Sequence, residues 1–170
     1  ALIFATSGWT YTLGNATTSA ISFVSTSATA QNIDFGGKTA GNVNFNGTGG
    51  SWQLTGALTL GSSATLTLTS GTFNANNNTV QAGHFGSDFS NARTLIMGDR
   101  IWTLNGTGAV WNAPTVTGFT LNPNTSSISL TDTSSTNKTF VGGGKTFNHL
   151  TIAGGGKGAV IFAGANTFNN

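Results

Sequence analysis

Along most of this chain apolar residues alternate one by one with small polar ones, in short stretches cut off by glycine or asparagine. The plainest case runs Ala57-Leu58-Thr59-Leu60, then Ala64, Leu66 and Leu68 with Thr65, Thr67 and Thr69 between them. Successive side chains of an extended strand point to opposite sides, so a period of two gives each stretch one apolar face. The same alternation recurs at Trp9-Tyr11-Leu13, Ile21-Phe23, Ile33-Phe35, Val43-Phe45, Trp52-Leu54, Leu95-Met97, Trp102-Leu104, Ile128-Leu130, Leu150-Ile152 and Val160-Phe162. Helical spacing is rare, and Thr, Asn and Gly are poor helix formers. One helix or turn candidate remains, from Ser87 to Arg93. The chain therefore reads as all-β.

The gaps between strands decide the architecture. Nearly all carry Gly or Asn: Gly36-Gly37, Gly47 to Gly50, Asn76-Asn77-Asn78, Gly142 to Gly144 and Gly154 to Gly156. These residues accept the left-handed conformations of tight corners. A β-sandwich, the alternative fold, has strands every 8–12 residues or so with clear hairpin turns. Short strands joined by sharp corners fit a right-handed parallel β-solenoid (β-helix) better, with each coil stacked on the last. The Asn76-Asn77-Asn78 run is expected to join a ladder of stacked amides. A flexible Gly/Ser/Asn/Thr tract would lack the 12 Phe and 4 Trp found here.

An imperfect internal repeat links residues 32–56 with 137–156. Asn32-Ile33-Asp34-Phe35-Gly36-Gly37-Lys38-Thr39 parallels the stretch from Asn137 to Thr146, which ends Gly142-Gly143-Gly144-Lys145-Thr146. A strand and a glycine cluster follow each copy. The chain, residues 1–170, is thus expected to be a single solenoid segment. Its ends, Ala1 to Ala5 and Asn169-Asn170, read as cuts through a longer pattern, so a larger protein or filament is expected.

From Trp52 through Phe168 the chain resembles the β-strand-repeat segments of large bacterial surface proteins, adhesins among them, and phage tail-fibre-like proteins. The residues carrying this are Leu66-Thr67-Leu68-Thr69-Ser70-Gly71-Thr72-Phe73-Asn74, Asn78-Thr79-Val80, Trp102-Thr103-Leu104 and Phe140 to Ile152. The resemblance implies an extracellular, cell-surface or virion location and an adhesive or architectural role.

Composition narrows the chemistry. Only 6% of residues are charged, with 6 Lys+Arg against 4 Asp+Glu, where about 25% is ordinary. The cations are scattered, which is no footprint for nucleic acid. No apolar run approaches the roughly 20 residues of a membrane helix, so membrane insertion is not expected. There is no cysteine, which excludes disulfides and thiolate metal sites. Glycosidic chemistry needs a carboxylate pair. The available groups, Asp34, Asp88, Asp99 and Asp132, lie far apart in sequence and read as turn caps or partners of Arg93 and Arg100. The charged window Asp88 to Arg100 reads as a solvated loop with a weak ion pair. His84 and His149 lack metal-ligand spacing. Gly142 to Thr146 imitates the end of a phosphate-binding loop. Thr139 stands where the first glycine belongs, and a strand follows where a helix is needed.

No catalytic residue, cofactor or metal is assigned, and the chain is expected not to be an enzyme. It reads as a structural or adhesive segment of a fibre, filament, surface protein or phage tail fibre. Its expected partners are adjoining segments or neighbouring copies, as a trimer or a head-to-tail filament. The alternative is a module that recognises cell-surface glycans, stacking sugars on Trp9, Trp52, Trp102 and Trp111. Trp52 and Trp102, in phase with Leu54 and Leu104, also suit a core. Two further readings rank lower: a polysaccharide-active enzyme, and an ice-binding solenoid built on Thr10/Thr12, Thr65/Thr67, Thr115/Thr117 and Thr131/Thr133.

Overall fold

The structure, a computed structural model, describes residues 2–3, 20–154 and 158–169. Trp9, Tyr11, Leu13, the Thr10/Thr12 pair, Gly155 and Gly156 lie outside them. No described residue is helical, and Ser87 to Arg93 is a loop leading into a strand. Of the helix or turn expected there, the helix is excluded.

The strands wind into about seven stacked turns with three faces, a parallel β-solenoid. The first face carries Leu2–Ile3, Gln31–Asp34, the ends of Asn42–Leu54 and Thr65–Asn74, Arg93–Ile96 and Phe119–Asn122. The second carries Thr39–Ala40, Leu58–Leu60, Val80–Ala82, Ile101–Leu104, Ser127–Leu130 and His149–Ile152. The third carries Ala20–Phe23, the starts of Asn42–Leu54 and Thr65–Asn74, then His84–Gly86, Gly108–Asn112, Lys138–Val141 and Val160–Ala163. A short ladder joins Thr146–Phe147 to Thr167–Phe168. Every one of these pairings is parallel, which rules out the β-sandwich, built from antiparallel hairpins.

Stacking in register turns the alternation of each strand into columns. Val43, Leu66, Phe85, Trp111, Phe140 and Phe162 are successive partners on the third face. Trp52, Phe73, Leu95 and Leu121 follow one another on the first, and Leu58, Val80, Trp102, Ile128 and Leu150 on the second. Aromatic rings fill the interior face to face and edge to face. Phe45 stacks on Phe23 at 5.0 Å and on Phe73 at 4.4 Å, and Trp111 on Phe140 at 5.4 Å. Each such buried side chain contributes roughly 1.5–3 kcal/mol.

The corner from first to second face is built the same way three times. Lys38 N donates to Phe35 O, Asn78 N to Ala75 O and Ser126 N to Pro123 O, each closing a four-residue turn. The left-handed positions fall to Gly36 and Gly37, to Asn76 and Asn77, and to Asn124. The side-chain amides of Asn76 and Asn78 donate to Leu54 O of the preceding turn, at 2.9 and 3.2 Å. They close the corner on backbone carbonyls, so no ladder of amide on amide forms there.

The expectation that the strands are all short is revised. Asn42–Leu54 and Thr65–Asn74 are long strands that bend from the third face onto the first. The bends sit at Gly47 to Gly50 and at Gly71. The repeat, moreover, is out of phase with the coils. Its first copy runs from the first face through a corner to the second, whereas Phe140 of its second copy lies on the third face. What repeats is strand, corner, strand, which the fold uses at more than one corner.

Candidate functional site

Past Thr65–Asn74 the passage from third to first face changes. Two successive turns cross it by loops, residues 87–92 and 113–118, and a turn on the first face grows from about 22 residues to about 26. Arg93 opens the strand after the first loop, in phase with Leu95 and Met97, so its side chain points inward and is 2% exposed. All its N–H directions find oxygen. Nε donates to Ser87 Oγ at 2.7 Å, Nη1 to Asn91 O and Thr117 O at 3.0 and 2.8 Å, and Nη2 to Ser87 O and Thr115 O at 2.9 and 2.6 Å. The guanidinium lies 4.8 Å from the centre of the Phe119 ring, a cation–π contact. Burial lowers its pKa, and the charge of nearby Asp88 opposes that. Asp88 Oδ1 accepts from Thr115 Oγ1 at 2.5 Å, a second tie between the loops. The charged window is therefore no solvated loop at Arg93. Only Asp99 and Arg100 form an exposed pair, at 3.5 Å.

A second buried cation follows the same rule. Lys138 is in phase with Phe140, points inward and is 3% exposed. Its Nζ meets Asp132 Oδ1 at 2.7 Å and Ser134 O at 2.8 Å. Asp132 Oδ1 also accepts from Ser134 Oγ and Ser134 N. The hydrogen bond from Lys138, then that from Ser134, holds the Asp132 carboxyl below the usual carboxylate range. A depressed carboxylate stabilises the fold above its unfolded pKa and loses that contribution as pH falls through the folded one. Asp132→Asn is thus expected to be less stable than the parent near pH 7, because Lys138 loses its counter-charge. The two should converge in thermal melts as pH drops through about 4 and below. A gap unchanged down to pH 2 would sink this account.

The tryptophans proposed for sugar stacking are placed inside. Trp52, Trp102 and Trp111 are essentially fully buried, and Trp102 Nε1 donates to Met97 O at 3.0 Å. Their ring faces touch other rings, so no sugar can lie on them. Trp9 is outside the described residues. The four aspartates are spread over three corners, Asp34 and Asp99 three turns apart on the same one, and are locally engaged: Asp34 caps Gly36 N at 2.8 Å, beside the pairs of Asp88, Asp99 and Asp132 already described. His84 contacts Thr107 O at 2.8 Å on the third face, and His149 contacts Thr151 Oγ1 at 3.1 Å on the second. Among the described residues no three His, Asp, Glu or Cys side chains gather into a metal site. Gly142 to Thr146 is a corner, with Gly143 and Gly144 left-handed and Thr146–Phe147 extended. Lys145 Nζ donates to Phe119 O at 2.6 Å.

Outward positions make columns too. Thr39, Thr59, Gln81, Thr103, Ser129 and Thr151 are successive partners on the second face. Ser51, Thr72, Thr94 and Thr120 are so on the first, where Thr72, Thr94 and Thr120 line a shallow cleft of about 200 Å³. Thr115/Thr117 lie in a loop, Thr131/Thr133 at a corner and Thr65/Thr67 on the third face, so these pairs share no face.

The geometry defines an aromatic-cored parallel β-solenoid whose buried cations hold its corners. No family model, curated protein or solved structure matches the chain.

Proposed function

We propose that this chain is a non-catalytic structural segment of an extracellular fibre, filament, surface protein or phage tail fibre. It holds length and presents a neutral, hydroxyl-rich surface. The observation that carries this is the in-register ladder of about seven turns around an aromatic core. Stacked at about 4.8 Å per turn, it gives about 30 Å of rod. Arg93, Lys145 and Asp88 make bonds that fasten one turn to the next, and Lys138 and Asp132 pair within one corner. Neighbouring copies or adjoining segments are its natural partners, because every turn is covered by the next.

A pulling experiment on the chain between inert handles tests the reading. Expected are discrete rips whose lengths are multiples of one turn. At about 22 residues and about 3.4 Å per residue, that is about 75 Å. Smooth, low-force extension would overturn it. The same protein incubated with a broad polysaccharide panel should neither cleave nor retain any member. Cleavage would end the non-catalytic reading. Retention would favour the glycan module, with the outward Thr columns in place of the tryptophans.

A further inference from the structure

The corner between the third and first faces is made in two ways, and the change between them marks a device. Where Asn42–Leu54 and Thr65–Asn74 bend across it, backbone pairing continues on both sides of the bend. Loops 87–92 and 113–118 are rooted in the ladder at their ends, through Ser87 N to Asn112 O and Arg93 N to Gly118 O, with Gly71 N to Ala92 O and Ala113 N to Val141 O tying each to its other neighbour. Between those roots, among the described residues, the only tie from loop to loop besides Arg93 is the exposed side-chain bond from Thr115 to Asp88. The guanidinium of Arg93 bridges the two loops, with Ser87 O and Asn91 O from its own loop and Thr115 O and Thr117 O from the next.

We infer that Arg93 is a lock joining two successive turns, so that loops 87–92 and 113–118 open together. The planar fork is what the lock requires. Its donors diverge in fixed directions and reach both loops at once. A lysine keeps the charge, but its three donors on a single ammonium cannot span the same set. The partners here are carbonyl dipoles and a hydroxyl, not a carboxylate, so the lock works by geometry more than by ion pairing. It stands or falls independently of what the rod carries.

Amide hydrogen exchange on the whole chain tests it, with the parent and Arg93→Lys measured side by side. In Arg93→Lys the amides of both loops should exchange at least about tenfold faster, with Val80–Ala82 and Leu58–Leu60 unchanged within about twofold. Acceleration confined to 87–92, or in neither loop, would overturn the lock. The unmodified protein supplies a second test that no folding defect can obscure. Under increasing urea below the unfolding transition, the two loops should share one opening free energy and one denaturant slope. Distinct slopes would mean separate openings and no lock.

Discussion

Replacing Trp102 by alanine is expected to cost about 3–5 kcal/mol. The indole is fully buried and meets rings from both other faces: Phe73 at 6.2 Å from the first, Phe85 at 6.2 Å and Trp111 at 6.4 Å from the third. Removing it leaves a void that the ladder cannot close, because strand spacing is fixed by backbone hydrogen bonds. A solenoid turn is stabilised only by its neighbours. The damage should therefore split the stack, and urea unfolding should lose its single transition. Trp102→Phe separates packing from polarity. It keeps most of the ring but leaves Met97 O without its donor, at a cost of about 1–3 kcal/mol. A loss below about 1 kcal/mol for the alanine variant would mean that the indole does not sit in the interior.

The core position of Trp102 was legible from its phase with Leu104, and that of Trp52 from Leu54, because strand alternation is local and needs no knowledge of neighbours. The corners were legible for the same reason: Gly36-Gly37 and Asn76-Asn77 declare left-handed turns by residue type. Buried Arg93 was missed because its charge outweighed its position. Yet it stands two and four residues before Leu95 and Met97, on the inward side, and Lys138 stands likewise before Phe140. Phase was the available signal. Two of the partners of Arg93, Thr115 and Thr117, come from the following turn, which only stacking brings close, and no local pattern reports them. The true phase of the repeat was hidden because a strand-corner-strand unit obeys the same local rules at every corner. The bent strands were hidden because Gly47 to Gly50 looks like a turn whether pairing stops there or continues.

That ambiguity makes Gly71 the most informative backbone position. It lies where Thr65–Asn74 bends onto the first face, at φ 82°, with its N–H donating to Ala92 O at 3.0 Å. A Cβ there would stand 2.5 Å from Gly47 O, 2.6 Å from Gly50 O and 2.9 Å from the Trp52 ring. Two of these neighbours are backbone of the preceding turn, so neither can yield by changing rotamer. Gly37 provides the control. Its φ is 70° and nothing lies within 4 Å of its would-be Cβ. Gly37→Ala should cost only the left-handed penalty, about 1–2 kcal/mol. Gly71→Ala adds overpacking of about 1–3 kcal/mol and should total about 2–5 kcal/mol, measured as paired urea midpoints. Equal losses would show that the corner can spread to admit a methyl group, and that close stacking of bent strands does not fix its shape. A clear excess at Gly71 would place the constraint in the contact between turns, since the two sites share the left-handed φ. Glycine at that corner then has a different cause from glycine at the turns. At Gly37 it answers to the chain's own dihedral angles, and at Gly71 to the backbone stacked against it.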